Sequence, residues 1–117
     1  EGIQNFKTEL IFKIFKLLKI LLYPSLTPFL LKGIAPAFEH KKVLNSIGAL
    51  GSLVDCGSNK GQFAILSFKV NGFSNYFGFD PICYPSSVIN YLKKHNVKVF
   101  FSDLALSNYV GIKNFFI

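Results

Sequence analysis

Arginine, methionine and tryptophan are absent from the 117 residues, cysteine and histidine occur twice each, and six acids face 13 lysines. Each shortage excludes something. Two cysteines cannot staple a disulfide miniprotein, and without a Cys/His cluster they cannot supply the four ligands of tetrahedral zinc, so no metal site is expected. Without arginine there is no planar fork to grip a guanine edge or a phosphate, so specific nucleic-acid recognition is not expected. The formal charge of +7 leaves nonspecific attraction to phosphate as a third, weaker reading. Lysines are spread along the chain, seven in residues 1–42 and six in 43–117, as solvated faces would require.

What is present is apolar. Half of the residues are hydrophobic and 16% aromatic, too much for a disordered tail and enough for one small core with little stability to spare. The chain opens on Glu1, and Asn114-Phe115-Phe116-Ile117 reads as a strand in progress. Both ends are therefore read as cut.

Two regions differ in character. In residues 1–32, the stretch from Phe6 to Tyr23 places Glu9, Lys13, Lys16 and Lys19 on one helical arc and Phe, Ile and Leu around the rest. Lysine every three residues argues against a membrane span, and the charges interrupt what a signal peptide would keep apolar. Two uses of this helix stand: peripheral contact with an anionic membrane through residues 6–23, or packing on a protein surface. Pro24 to Gly33 is a proline-punctuated connector, and Ala37 to Ser46 a short helix closed near Gly48.

From residue 49 onward the pattern alternates: strand Ser52–Asp55, helix Gln62–Val70, strand Tyr76–Asp80, helix Ser86–His95, strand Val97–Phe101. Such alternation predicts parallel pairing and the start of a doubly wound, Rossmann-like α/β sheet in three α/β/α layers. Asp103 to Ser107 continues the apolar path, and a turn at Asn108 to Gly111 leads to a further strand, Ile112 to Ile117.

In sheets of this kind ligands sit beyond the carboxyl ends of the strands. The first such place is Asp55-Cys56-Gly57-Ser58-Asn59-Lys60-Gly61. Gly57 allows a backbone angle or a close approach that a Cβ forbids, Gly61 lets the helix start tightly against the strand, and free N–H groups there suit an anionic group. The Gly-x-x-x-Gly spacing fits neither the dinucleotide fingerprint nor a phosphate-binding P-loop. Asp55, beside the turn, would repel a pyrophosphate but suits an ammonium, such as that of S-adenosylmethionine. Asp80, ending the second strand in Phe79-Asp80-Pro81, is placed to accept ribose hydroxyls.

Val54-Asp-Cys-Gly-Ser-Asn-Lys-Gly-Gln-Phe63, Gly78-Phe-Asp-Pro81 and Ala105-Leu-Ser107 with Gly111 together resemble the FkbM-type methyltransferases, and Gly33 to His40 is similar to the helix before the first strand in some members. The resemblance covers about residues 33–117. It implies a class I methyltransferase domain using S-adenosyl-L-methionine, with O-methylation of a sugar or other small-molecule or glycan hydroxyl. Cys56 and Ser58 depart from the family pattern, and its later strands and acidic segment are not found. Residues 33–117 are therefore read as the amino-terminal half of such a domain, a cytoplasmic enzyme or an inactive, membrane-associated binding fragment.

The cofactor-binding set is Asp55, Gly57, Ser58, Asn59, Gly61 and Asp80, with Asp103 as acceptor for an adenine amino group. Asn59 has two readings, a cofactor contact or a turn-stabilising residue. Phe79 is assigned to the core, Lys60 to solvent, and Cys56 and Cys83 to a reduced pair. No catalytic base is assigned, since neither His40 nor His95 falls at a strand tip.

Overall fold

A computed structural model describes residues 2–114. The amphipathic pattern makes helix α1 (Gly2–Leu21), which starts earlier than its apolar periodicity suggests. Pro24, with no N–H to continue the ladder, ends the run. The expected connector is more regular than predicted: a 3-10 turn (Pro24–Leu26) leads into α2 (Thr27–Leu31), and the path bends by 107°. The next predicted helix begins as a 3-10 turn (Phe38–His40) and continues as α3 (Lys41–Ile47), closed by Gly48 at φ +81°.

Three strands follow in alternation with two helices: β1 (Ser52–Cys56), α4 (Gln62–Val70), β2 (Asn75–Phe79), α5 (Ser86–Lys94) and β3 (Lys98–Ser102). All three pair in parallel in the order β1-β2-β3, with Leu53, Tyr76 and Val99 in one register row and Asp55, Gly78 and Phe101 in another. Those two rows face the helices. Leu53 and Tyr76 are buried with Ala64, Ile65 and Leu66 of α4 and Val88, Ile89 and Leu92 of α5. Fully burying a side chain of this size contributes about 1.5–3 kcal/mol. Asn71 Nδ2 ties this layer to α3 by donating to the carbonyls of Leu44 and Gly48.

The opposite sheet face is bare: Val54, Phe77 and Phe100 are 59%, 39% and 53% exposed. The described residues thus form two layers, correcting the three expected. When the strand order advances in one direction, successive right-handed crossovers set every helix on the same face. The predicted strand from Ile112 is also missing over residues 112–114, and its last three residues lie outside those described. An isolated extended segment has no partner to satisfy its backbone, and Val110 and Ile112 lie fully in solvent.

Candidate functional site

The chain must reverse direction between the end of β1 and the start of α4, and it does so with left-handed residues. Gly57, Asn59 and Gly61 have φ of +75°, +48° and +83°. Glycine takes this conformation freely, and asparagine is among the few side chains that tolerate it. The resulting loop turns its amides toward the tip of the neighbouring strand: Gly57 and Ser58 N–H donate to the Phe79 carbonyl at 2.7 and 3.2 Å.

Asp80 completes that junction. Its Oδ2 accepts the Asn59 N–H at 2.8 Å, and its Oδ1 accepts those of Ile82 and Cys83, each at 2.8 Å. Burial alone would raise its carboxyl, but the amides of Cys83, Ile82 and Asn59 together outweigh it and hold the group below the usual carboxylate range. The carboxylate is thereby a clasp between two loops as well as a strand-tip acid. Asn59 takes part in the turn through its backbone N–H and its left-handed φ.

Asp55 is spent very differently. It lies on the helix-covered face, 7% exposed, and accepts one hydrogen bond, from Tyr76 Oη at 3.1 Å. Burial pushes its carboxyl up, the Tyr76 bond opposes this, and the charge of Asp80 adds to the rise. Tyr76, wholly buried beside this charge, has its hydroxyl pushed well above the ordinary tyrosine range and stays a donor. Gly78 makes room for it, because a Cβ there would come within 2.7 Å of Tyr76 Oη. Ser58 Oγ is buried next to the same hydroxyl with no well-formed partner.

Gly61 is required by packing as well as by φ, and its neighbour is not the strand that the sequence suggests. A Cβ at Gly61 would lie 2.7 Å from Val88 Cγ2 of α5. The two helices meet where α4 begins.

Beyond the ends of β2 and β3, a groove of about 400 Å³ is lined by Asp80 and Asp103 together with Ile82, Tyr84, Phe100 and Phe101. Asp55 is not part of that lining. Phe79 packs on Phe100, ring centres 6.1 Å apart, on the bare sheet face and not in the core. Cys56 and Cys83 are both free thiols. His95 lies tilted against Tyr91 at 4.1 Å, past the end of α5, and His40 meets Phe63, at the start of α4, edge to face at 5.4 Å. No family model, curated protein or solved structure matches the chain.

Tyr76 is the site residue that sequence reasoning missed. Its only signal is a tyrosine two residues before a glycine on the strand next to a buried acid. The Asp55–Tyr76 pair also makes a stability prediction. A group whose folded pKa is raised favours the fold fully below its unfolded pKa, and that contribution is lost as pH rises through the folded value. Asp55→Asn keeps an acceptor for Tyr76 and removes the charge. Stability at neutral pH is expected to rise, on the order of 1 kcal/mol, as when a strained functional residue is relieved. Urea midpoints at pH 3 and pH 7 check this: the gain appears at the higher pH and vanishes at the lower.

Proposed function

We propose that the strand tips form the half-site for S-adenosyl-L-methionine, in the service of methyl transfer to a sugar or other hydroxyl, as the resemblance to the FkbM-type enzymes implies. The observation that carries this reading is that the chain's three aspartates, Asp55, Asp80 and Asp103, all fall at the carboxyl ends of its three parallel strands, around a left-handed glycine loop. A pyrophosphate would be repelled from such a place; a nucleoside with an ammonium end is welcomed by it.

The residues present fit that group in part: Asp80 and Asp103 share one groove, whereas Asp55 lies outside it and is 7% exposed. A carboxylate has about four acceptor positions. Asp55 uses one, on Tyr76, and keeps acceptor capacity for an ammonium. It lies under the helices, outside the groove that Asp80 and Asp103 share, so its part in the half-site needs the loop at Gly57 and Ser58 to admit the ligand. Asp80 has given three positions to backbone amides and retains less for ribose hydroxyls. Asp103, exposed across the groove, is the acceptor for an adenine amino group. When bound, the cofactor supplies a methyl group activated by its sulfonium. The protein's share is alignment and exclusion of water around the hydroxyl.

A second reading is binding without turnover. It is favoured by the openness of the groove, where Ile82, Tyr84 and Phe100 are 64%, 57% and 53% exposed, so water is not shut out. Calorimetric titration with S-adenosylmethionine tests what both readings share. Saturable binding is expected, and Asp103→Ala, at an exposed position, is expected to weaken it by about fivefold to tenfold, one hydrogen bond's worth. Release of S-adenosylhomocysteine in the presence of a hydroxyl acceptor separates the enzyme from the binding fragment. Absence of saturation at any concentration would remove both.

A further inference from the structure

Helix α1 touches the body along its lysine-bearing side and is scarcely covered by it. Its Lys16 pairs with Glu39 at 3.6 Å, and Phe12, Phe15, Lys16 and Lys19 enclose a hollow of about 260 Å³ with Phe38 and Glu39. The side that carries two of its lysines therefore faces the body. At 100° per residue the opposite side presents Phe6, Leu10, Ile14, Leu17 and Leu21, one continuous stripe, which are 68%, 47%, 47%, 45% and 61% exposed. Phe12 and Phe15, toward the body, are also 74% and 60% exposed, so nearly all of the helix's apolar surface meets water, and the stripe is the part of it turned away from the α/β body.

Charge decides what covers it. Lys7 flanks the stripe on one side and Lys13 on the other, both exposed, and Glu9, paired with Lys13 at 2.8 Å, is the only acid among residues 5–21. A second copy of the helix, laid stripe to stripe, would bring lysines against lysines. An anionic bilayer surface complements them, because lysine stems lie along the apolar boundary while the ammonium groups reach the headgroups. Length and composition also set the posture: no single helix among the described residues is long and apolar enough to cross a membrane, and the path bends by 107° after α1.

We infer that α1 lies in the plane of an anionic membrane with Phe6, Leu10, Ile14, Leu17 and Leu21 immersed, docking the α/β body to the lipid surface. This inference is independent of the cofactor reading. Flotation of the full chain with phosphatidylcholine vesicles, with and without phosphatidylglycerol, tests it directly. Binding is expected on the anionic vesicles and is expected to fall in high salt. Lys7→Gln with Lys13→Gln should weaken it roughly thirtyfold, at about a tenfold-or-less loss per basic residue near the surface. Ile14→Asn with Leu17→Asn, both at exposed positions, should weaken it about a hundredfold or more. Circular dichroism of each variant verifies that the helix persists. Failure to float with anionic vesicles, or flotation unaffected by the Ile14 and Leu17 changes, overturns the inference. So does a stable dimer in light scattering that the same changes dissolve while vesicles remain unbound.

Discussion

Replacing Asp80 by alanine is expected to cost about 2–4 kcal/mol of folding stability, because three backbone amides lose a charged acceptor at once. That is a large part of what a small domain has, since total stabilities run to about 5–15 kcal/mol. The loss has a pH signature. Asp80 has a lowered folded pKa, so its contribution is present above the unfolded value, about 3.9, and disappears as pH falls through that region toward the folded value. Wild type and Asp80→Ala should thus differ widely in urea midpoint at neutral pH and converge in acid. Asp55 has the opposite sign, so Asp55→Asn and Asp80→Ala should move neutral-pH stability in opposite directions. Equal urea midpoints for wild type and Asp80→Ala at neutral pH would show that the clasp between the two loops is not a stabilising element.

The second large effect belongs to Gly61→Ala, expected to destabilise by about 2–5 kcal/mol. Two causes add: a left-handed conformation costs an L-residue about 1–2 kcal/mol, and overpacking costs about 1–3 kcal/mol more. The new methyl would arrive 2.7 Å from Val88 Cγ2 and 2.8 Å from Val88 Cβ, so a rotation of the valine cannot clear both. Gly57→Ala is the control. Gly57 has a similar φ, +75°, but nothing lies within 4 Å of its would-be Cβ, so only the conformational cost of about 1–2 kcal/mol applies. Denaturant titration of the two variants side by side should separate them by more than the conformational cost alone; equal losses would mean that helix α5 yields freely.

Much of this architecture was legible because it rests on local chemistry. Strands β1, β2 and β3 announce themselves by short apolar runs bounded by glycine, asparagine and aspartate, and each lies within one residue of its expected position. The left-handed loop was legible in Gly57 and Gly61 for the same reason. What could not be read depends on through-space neighbours. Nothing near Gly61 in the chain points to Val88, 27 positions away, and nothing in the sequence of β2 says that Tyr76 reaches over Gly78 to Asp55. Apolar residues on β1 to β3 looked alike from sequence, although Leu53 is buried and Val54 beside it is 59% exposed. That difference follows from the one-directional strand order, which alternation of helix and strand does not specify. The pattern of α1 showed amphipathicity but not which arc faces the body, because the Lys16–Glu39 pair joins residues 23 apart.

The distribution of hydrogen bonds between the two strand-tip acids also changes their expected weights. Sequence treated Asp55 and Asp80 as equivalent grips on one ligand. The structure gives Asp80 a clasping function through three amides and leaves Asp55 with a single tyrosine donor and a carboxyl pushed up by burial. A buried carboxylate with unspent acceptors is costly to maintain unless a cation arrives to use it.

The measurement that bears most directly on the proposed half-site is amide chemical-shift mapping of the isotope-labelled full chain during titration with S-adenosylhomocysteine. The account predicts saturable shifts concentrated at Gly57 to Gly61, at Asp80 to Cys83 and at Ser102 to Asp103, with α1 and α3 unmoved. Shifts that never saturate, or that gather on α1 while the strand tips stay silent, would contradict it.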